Sequence, residues 1–590
     1  MLEIAQRWQH SLVFPEIEFT TAEKYLQQIN QTDFPTWDDE LYLEFHRGCY
    51  TTHGDQKRWN RRGENLLYQA ELFATLATII CGATYPKADI ETAWKQVLFN
   101  QFHDILPGSS ITQVYTDALI EWQQVEQVGT RILEESMQAI ASHFTLPEPP
   151  EPNSLPIFVF NSLNWQRSEV VAVSLPATNQ AWQIYDVAGN QLISQFTQPA
   201  TLLFLATDIP PVGYRLFWLV PASELPNNST SPTPDFVIEN EFLRVVIDPD
   251  TGDLASVFDK THQREVLSGA GNQLQAFKDS GQYWDAWNID PSYAEHPLPA
   301  TSLKSIEVLE QGPVQHRLRV VRQLGESEFQ QDYILQAGSP LLKIASTVNW
   351  QENQVFVKAA FPLNVEADFA TYEIPCGAIR RPTKAQTPAE KAKWEVPALR
   401  WADLTGETEL GIYGVSLLND CKYGYDSQPN QLRLSLLRSP KWPDPEADRG
   451  FHEFTYALYP HAGTWESAQT VQRGYELNIP LQVILNPLPT SHSPLPTADR
   501  VSFLNLTSQN LILMALKPTE DNPQEFILRC YESQGETAEL HLQSDLGLHL
   551  GDTVDLLERP VDITEFPGEQ QSLITQHWKI TTVKVIPQPE

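Results

Sequence analysis

From Leu155 onward, more than four hundred residues repeat one texture. Short runs such as IFVFNSLNW, TLLFLA, FVIENEFLRVVID, RLRVVRQL, LRLSLLR and HEFTYALYP are rich in Val, Ile, Leu, Phe, Tyr and Thr, and turn residues separate them. Side chains branched or ringed near the backbone fit a pleated surface, and runs this short joined by turns such as PDTGD (249–253) predict antiparallel sheets stacked as sandwiches. No parallel β/α alternation is visible. Ahead of this region apolar residues recur at helical spacing instead. Leu66, Leu67, Ala70, Phe73, Ala74 and Ala77 mark one helix between Glu64 and Ile80. A second is expected from Asp89 as N-cap, with Ala93, Trp94, Val97 and Leu98 on one face, stopping at the LPG of 106–108. A third opens at Ser110 with Gln113 as a capping box and carries Val114, Ala118, Trp122, Val125, Ile132 and Ile140. Three helices on short connections predict a bundle.

Proline-rich stretches at 146–156, 221–235 and 486–496 separate these blocks, because proline fixes φ and removes a backbone donor. The expected order is a short segment over 1–45, a three-helix bundle over 46–146, a small β domain over 155–222, a large β-sandwich over 235–485 and a terminal β domain over 496–590. The 75 acidic against 40 basic residues give a formal net charge of −35. Such a surface repels phosphate backbones and anionic lipid, so neither nucleic acid nor membrane is expected as a partner. The longest near-apolar stretch, Leu72 to Cys81, is too short for a bilayer. Five scattered cysteines without CxxC spacing, and an N-terminus without a basic region before an apolar core, predict a cytoplasmic protein.

Four places carry residues suited to chemistry. In FNQFHDILPGSS (99–110), His103 offers an imidazole that suits zinc, and Asp104 a carboxylate that accepts from a sugar hydroxyl; the same pair also fits a helix end, where His complements the dipole. In ELYLEFHRGCYTTHGDQKRWNRRGE (40–64), His46, Arg47 and Tyr50 suit a substrate-facing loop. The arginines there equally suit pairing with acidic neighbours, and His53-Gly-Asp55 has metal-pair spacing without a further His. In QYWDAWNIDPSY (282–293), Trp284 and Trp287 flank Asp285, the kind of surface on which a sugar ring stacks, with Asp285 or Asp290 as hydroxyl acceptor. Arg438, in LSLLRSPKWPDPEADRG, brings a rigid fork of donors that grips hydroxyls or carboxylates. No Ser-His-Asp order, P-loop, dinucleotide glycine pattern or Cys/His cluster appears, and no carboxylate pair stands out among so many.

Taken together, LYLEFHRGCYTT, NQFHDILPGSS, NQLQAFKDSGQYWDAWNID, IPCGAIRRPT, YGVSLLNDCKYGYD and LRSPKWPDPEADRG resemble the α-mannosidases of glycoside hydrolase family 38, of the cytosolic and bacterial type. The resemblance runs over nearly the whole chain, with Cys49 where the family usually has Thr. It implies an α+β multidomain protein: a (β/α) barrel, a three-helix bundle, then large antiparallel β-sandwich domains. It also implies retaining, zinc-assisted hydrolysis of terminal α-linked mannose from oligosaccharides, with His103 as one zinc ligand and Asp104 on substrate hydroxyls. Trp284, Asp285 and Arg438 are the further substrate-binding candidates. The family's HxD ligands, nucleophile and acid/base lie in a barrel that precedes the segment resembling this chain, and residues 1–45 resemble only its tail. The resemblance therefore implies the C-terminal portion of the enzyme, inactive alone, with no catalytic carboxylate of its own and a companion N-terminal chain carrying the barrel. The alternative is a non-catalytic carbohydrate-binding β-sandwich protein derived from such an enzyme.

Overall fold

The computed structural model describes residues 2–587, except 10–11, 14, 16, 30–32, 43, 177–179, 198–199, 225–235, 282, 488–497 and 562–571. Most of the proline-rich stretches expected at 221–235 and 486–496 therefore lies outside the described residues. The chain has two compact units, Met1–Leu43 and Glu44–Glu590. The described residues of the first form two short helices, α1 (Leu2–Gln9) and α2 (Ala22–Gln28, capped by Thr21), and no strand. No described helix is long and apolar enough to cross a membrane.

The second unit begins with a 3-10 turn at Glu44–Tyr50 and the bundle: α3 (Gly54–Cys81), α4 (Lys87–Asn100) and α5 (Thr112–His143). Most of the periodic apolar residues named above form its core, with Leu67, Phe73, Val97, Trp122 and Ile140 at most 1% exposed, whereas Leu98 lies on the surface at 60% exposed. Gly129 lets α5 approach α3, since a Cβ there would come within 2.8 Å of the Leu66 side chain. Gly82 closes α3 in a left-handed turn, its amide returning to Thr78.

Three helix starts depart from the sequence reading. α3 begins ten residues before Glu64, and its first turns bury Gln56, Lys57, Asn60 and Arg61, polar residues in which no apolar stripe was visible. α4 begins after Pro86, so Asp89 lies in the first turn and pairs with Arg131 instead of capping. The capping box at Ser110 does not form. α5 starts one residue past Ile111, and the Ser110 amide donates to the Tyr115 hydroxyl at 2.6 Å.

Beyond the bundle, Leu155–Asn161 pairs antiparallel with Gly213–Ala222, and Gln482–Leu485, Arg500–Ser502 and Ala181–Asp186 complete the sheet. The first small β region thus takes two strands from beyond residue 480. It packs on a three-stranded sheet (Arg167–Ser174, Thr201–Ile209, Ser194–Thr197) through Val159, Val171, Phe204 and Phe217. The large sandwich sets a nine-stranded antiparallel sheet, running from Ser302–Gln311 to Gly377–Pro382, beside a five-stranded sheet that contains Val355–Pro362 and Gln431–Leu437. Alternation is clean in Leu342–Trp350, where every second residue is buried, as expected for a strand with one face in the core. A third β region pairs Leu511–Pro518, Phe526–Glu532, Ile580–Pro587 and Leu548–Val554. Its core is continuous with the bundle, since Phe73 and Ile140 join Phe158, Leu504, Leu513 and Leu528 in one apolar cluster. The bundle is therefore fixed to the β half by apolar burial, and the loops at its end inherit that rigidity.

Candidate active-site turn and its buried frame

The end of α4 is anchored before the chain turns. Asn100 Nδ2 donates to Glu121 Oε2 (2.9 Å), and Gln101 Nε2 donates to Asn60 Oδ1 (2.9 Å) and Glu64 Oε1 (2.8 Å). Ile105 is buried, and Lys57 Nζ donates to the carbonyls of Thr52 (2.5 Å) and Leu106 (3.0 Å). Gly108 closes the turn at φ +86°, where a Cβ would stand 2.7 Å from the Thr52 carbonyl oxygen, so only glycine fits. Between these anchors His103 and Asp104 face outward, their side chains 79% and 40% exposed. Asp104 Oδ1 accepts from Ser109 Oγ at 2.9 Å, and Oδ2 lies 3.7 Å from His103 Nε2. Burial lowers the pKa of the neighbouring His46, and the Asp104 charge opposes that shift. A carboxylate held on one oxygen, with the other toward solvent beside an imidazole, can accept from a hydroxyl.

Arg438 is the reverse case. It is fully buried, and each of its five N–H groups has a protein acceptor. Nε and Nη2 donate to Asp279 Oδ2 (2.8 and 2.5 Å), Nη2 also to Asn288 O (2.8 Å), and Nη1 to Asp285 O (2.6 Å) and Thr52 Oγ1 (2.9 Å). No donor remains for a sugar, which corrects the expectation of substrate contact; the fork ties residues 279–288 to the bundle. Asp285 is corrected likewise. Its two carboxylate oxygens accept the amides of Lys441 (2.7 Å) and Trp442 (3.0 Å), and the residue is buried. Asp290 accepts from the amide and hydroxyl of Ser292, a local turn. Trp284 stays accessible at 58% exposed, its ring 4.7 Å from that of Trp442 and 6.1 Å from that of Trp287. Arg47 lies over the Trp394 ring and donates to Ala392 O, while Arg58 and Arg62 pair with Glu453 and Glu126.

His53 and Asp55, noted for metal spacing, face each other instead. His53 Nδ1 lies 3.2 Å from Asp55 Oδ1 and Nε2 lies 3.0 Å from Asp444 Oδ2. Burial alone would lower the imidazole pKa, but the two carboxylate hydrogen bonds outweigh it and raise it to about 9. A protonated ring with both nitrogens committed is no metal ligand. Asp444 Oδ1 also accepts from Thr112 Oγ1 (2.6 Å), and Asp448 takes the amides of His53 (2.9 Å) and Gly54 (2.7 Å). These aspartates and Asp279 were missed by sequence reasoning, although all three stand in the motifs quoted above. The partners just named, Arg438 for Asp279 and the bundle residues for Asp444 and Asp448, stand 159 or more residues away in the chain, which leaves no local signal.

Among the described residues no group of three or more His, Cys, Asp or Glu side chains is placed to hold a metal ion. Zinc needs three or four protein ligands, and His103 with a carboxylate 3.7 Å from its ring does not make that set. The described side chains do not make a complete zinc site.

Known proteins match this architecture region by region. Residues 44–140 match the Alpha mannosidase middle domain, 238–446 the Glycosyl hydrolases family 38 C-terminal domain, and 510–583 the Glycosyl hydrolases family 38 C-terminal beta sandwich domain. Alpha-mannosidase 2C1 of Homo sapiens is 33% identical over 570 residues, covering 95% of this chain and 51% of the relative. The alpha-mannosidase of Saccharomyces cerevisiae is 30% identical over 592 residues, covering 93% of this chain and 48% of the relative. The crystal structure of an alpha-mannosidase from Enterococcus faecalis V583 superposes with a TM-score of 0.81 at 17% identity, over 95% of this chain and 71% of that one, and so shares its fold. The chain spans about half the length of the curated relatives it matches. Through its middle domain and both C-terminal domains, it belongs to glycosyl hydrolases family 38.

Proposed function

We propose that this chain forms the helical and β-sandwich part of an α-mannosidase, which removes terminal α-linked mannose from oligosaccharides with retention. The observation that carries the reading is the 33% identity with a curated α-mannosidase over 95% of the chain. The exposed His103–Asp104 turn, held by buried anchors, supports it. In this reading Asp104 accepts hydrogen bonds from mannose hydroxyls, Trp284 offers an aromatic face to a sugar ring, and Arg438 and Asp285 position that region without touching substrate. His103 would supply one ligand to a zinc ion, with the remaining ligands, the nucleophile and the acid/base coming from a companion N-terminal segment. A cytoplasmic setting suits the free thiols of all five cysteines.

The test is hydrolysis of an aryl α-mannoside by the chain alone and by the chain mixed with the separately produced N-terminal half of a full-length relative. The expected result is no turnover alone and turnover in the mixture, abolished by His103→Ala and cut about 100-fold or more by Asp104→Asn. An inactive mixture, with mannoside still binding the chain, would instead favour a carbohydrate-binding protein without catalysis.

A further inference from the structure

A cavity of about 630 Å³ lies behind the His103–Asp104 turn, between α3 and α4 on one side and the β regions on the other. Gln101 and Leu106 contribute to its wall, whereas His103 and Asp104 do not. Its volume is that of a small-ligand site, which typically spans about 300–1000 Å³.

Its polar wall is charge-balanced. Arg61 and Arg400 face Glu64 and Glu373. Arg400 Nη1 donates to Glu373 Oε1 at 2.8 Å and Arg61 Nη1 to Asn478 Oδ1 at 3.2 Å. The guanidiniums lie over aromatic rings, Arg400 4.1 Å from the centre of Tyr475 and Arg61 4.7 Å from that of Tyr423, so both forks are held in plane. Arg61 is only 2% exposed, yet its Nη2 has no acceptor among the described residues, and neither does Arg400 Nε. Buried donors of this kind are nearly always satisfied, and both residues that carry them contribute to the wall of one cavity. Leu98, Leu106, Trp94 and Met514 add apolar surface to the lining.

A ligand for this wall must offer acceptors to two fixed guanidiniums and a donor to Glu64, since Arg400 already takes both oxygens of Glu373, and lay an apolar face on Leu98 and Trp94. It must also bring no net charge, because the four ionised groups already cancel. Sugars have that chemistry: each hydroxyl donates and accepts, and the ring has a C–H face. We propose that this cavity is a second saccharide-binding site, separate from the His103–Asp104 turn and holding one or two sugar units. The proposal does not require that turn to bind mannose.

The experiment is calorimetric titration of the whole chain with α-linked mannobiose, and in parallel with inorganic sulfate. It is repeated on Leu98→Trp, which fills the cavity from an exposed rim position, on Arg61→Lys, which removes the fork, and on Trp284→Ala. Mannobiose should bind Leu98→Trp and Arg61→Lys at least about tenfold more weakly than wild type, while sulfate gives no heat. Loss with Trp284→Ala alone would overturn the proposal and place the sugar at the aromatic cluster. Absence of saccharide heat in wild type would overturn it, and so would sulfate binding that Leu98→Trp removes. Because Leu98 is surface-exposed, the test stands even if Arg61→Lys fails to fold.

Discussion

Arg438 and His103 both carry side chains suited to a sugar or a metal, and both stand in motifs that resemble one enzyme family. The structure treats them in opposite ways. Arg438 is sealed among acceptors from the bundle and the β half, whereas the His103 imidazole is 79% exposed and, among the described residues, has only its loose approach to Asp104 as a polar contact. Residue type within a motif therefore does not separate a group that meets substrate from one that builds the frame. What separates them is whether the surrounding chain has used up the hydrogen-bonding capacity. The largest expected effect follows from the saturated member. Arg438→Met strands Asp279 as a buried, uncompensated carboxylate, which costs about 3–5 kcal/mol. It should lower the urea midpoint followed by tryptophan fluorescence, because Trp287 and Trp442 sit on the segments it ties. Arg438→Met with Asp279→Leu should recover much of the loss, and an equal or greater loss would show that the fork's backbone contacts matter more than its charge.

The second test stays with the frame. His53 is raised to about 9 in the folded chain, against about 6.5 when unfolded. A raised pKa means that the folded state holds the proton more tightly. The contribution is therefore complete below about pH 6.5 and is lost as pH rises through about 9. The acidic side behaves oppositely, since Asp444 is lowered, burial opposing and the His53 and Thr112 hydrogen bonds prevailing; its contribution is lost as pH falls below the usual carboxylate range. Stability should fall by about 1–3 kcal/mol between about pH 6.5 and 9. His53→Gln should flatten that limb of the curve, and an unchanged slope would assign the dependence to another group.

The same division explains what could be read from sequence. The helical stripes through Leu67, Phe73, Trp122 and Ile140, and the β texture after Leu155, are local and periodic, so the bundle and the antiparallel sheets were legible. The first turns of α3 were not, because Gln56, Lys57 and Arg61 are buried by contacts distant in sequence, and their burial has no apolar signature. The capping box at Ser110 failed because Tyr115 captures the Ser110 amide, a contact that the S-x-x-Q spacing does not encode. At the site, the exposed turn was legible because Pro107 and Gly108 punctuate it. The roles of Asp279, Asp444 and Asp448 were hidden because each is defined by a partner far away in the chain. Arg438 was read as reaching for a ligand because a sequence shows how many donors a fork has and never how many are already taken.

The smallest effect should come from the exposed member. His103→Ala removes a ring that packs against Phe102, with centroids 4.2 Å apart, and approaches one carboxylate at 3.7 Å. The anchors of the turn, Gln101, Ile105, Lys57 and Gly108, are untouched. The expected change in stability is within about 0.5 kcal/mol, as for surface substitutions generally. Asp104→Asn keeps an acceptor for Ser109 Oγ and should be comparably mild. If His103→Ala instead costs more than about 1.5 kcal/mol by the same fluorescence midpoint, the turn belongs with the frame and the contrast with Arg438 fails. A change below about 0.5 kcal/mol joined to complete loss of turnover in the reconstituted mixture is the outcome that only a substrate- or metal-facing imidazole gives. A side chain that holds the fold cannot lose all activity while leaving the midpoint where it was.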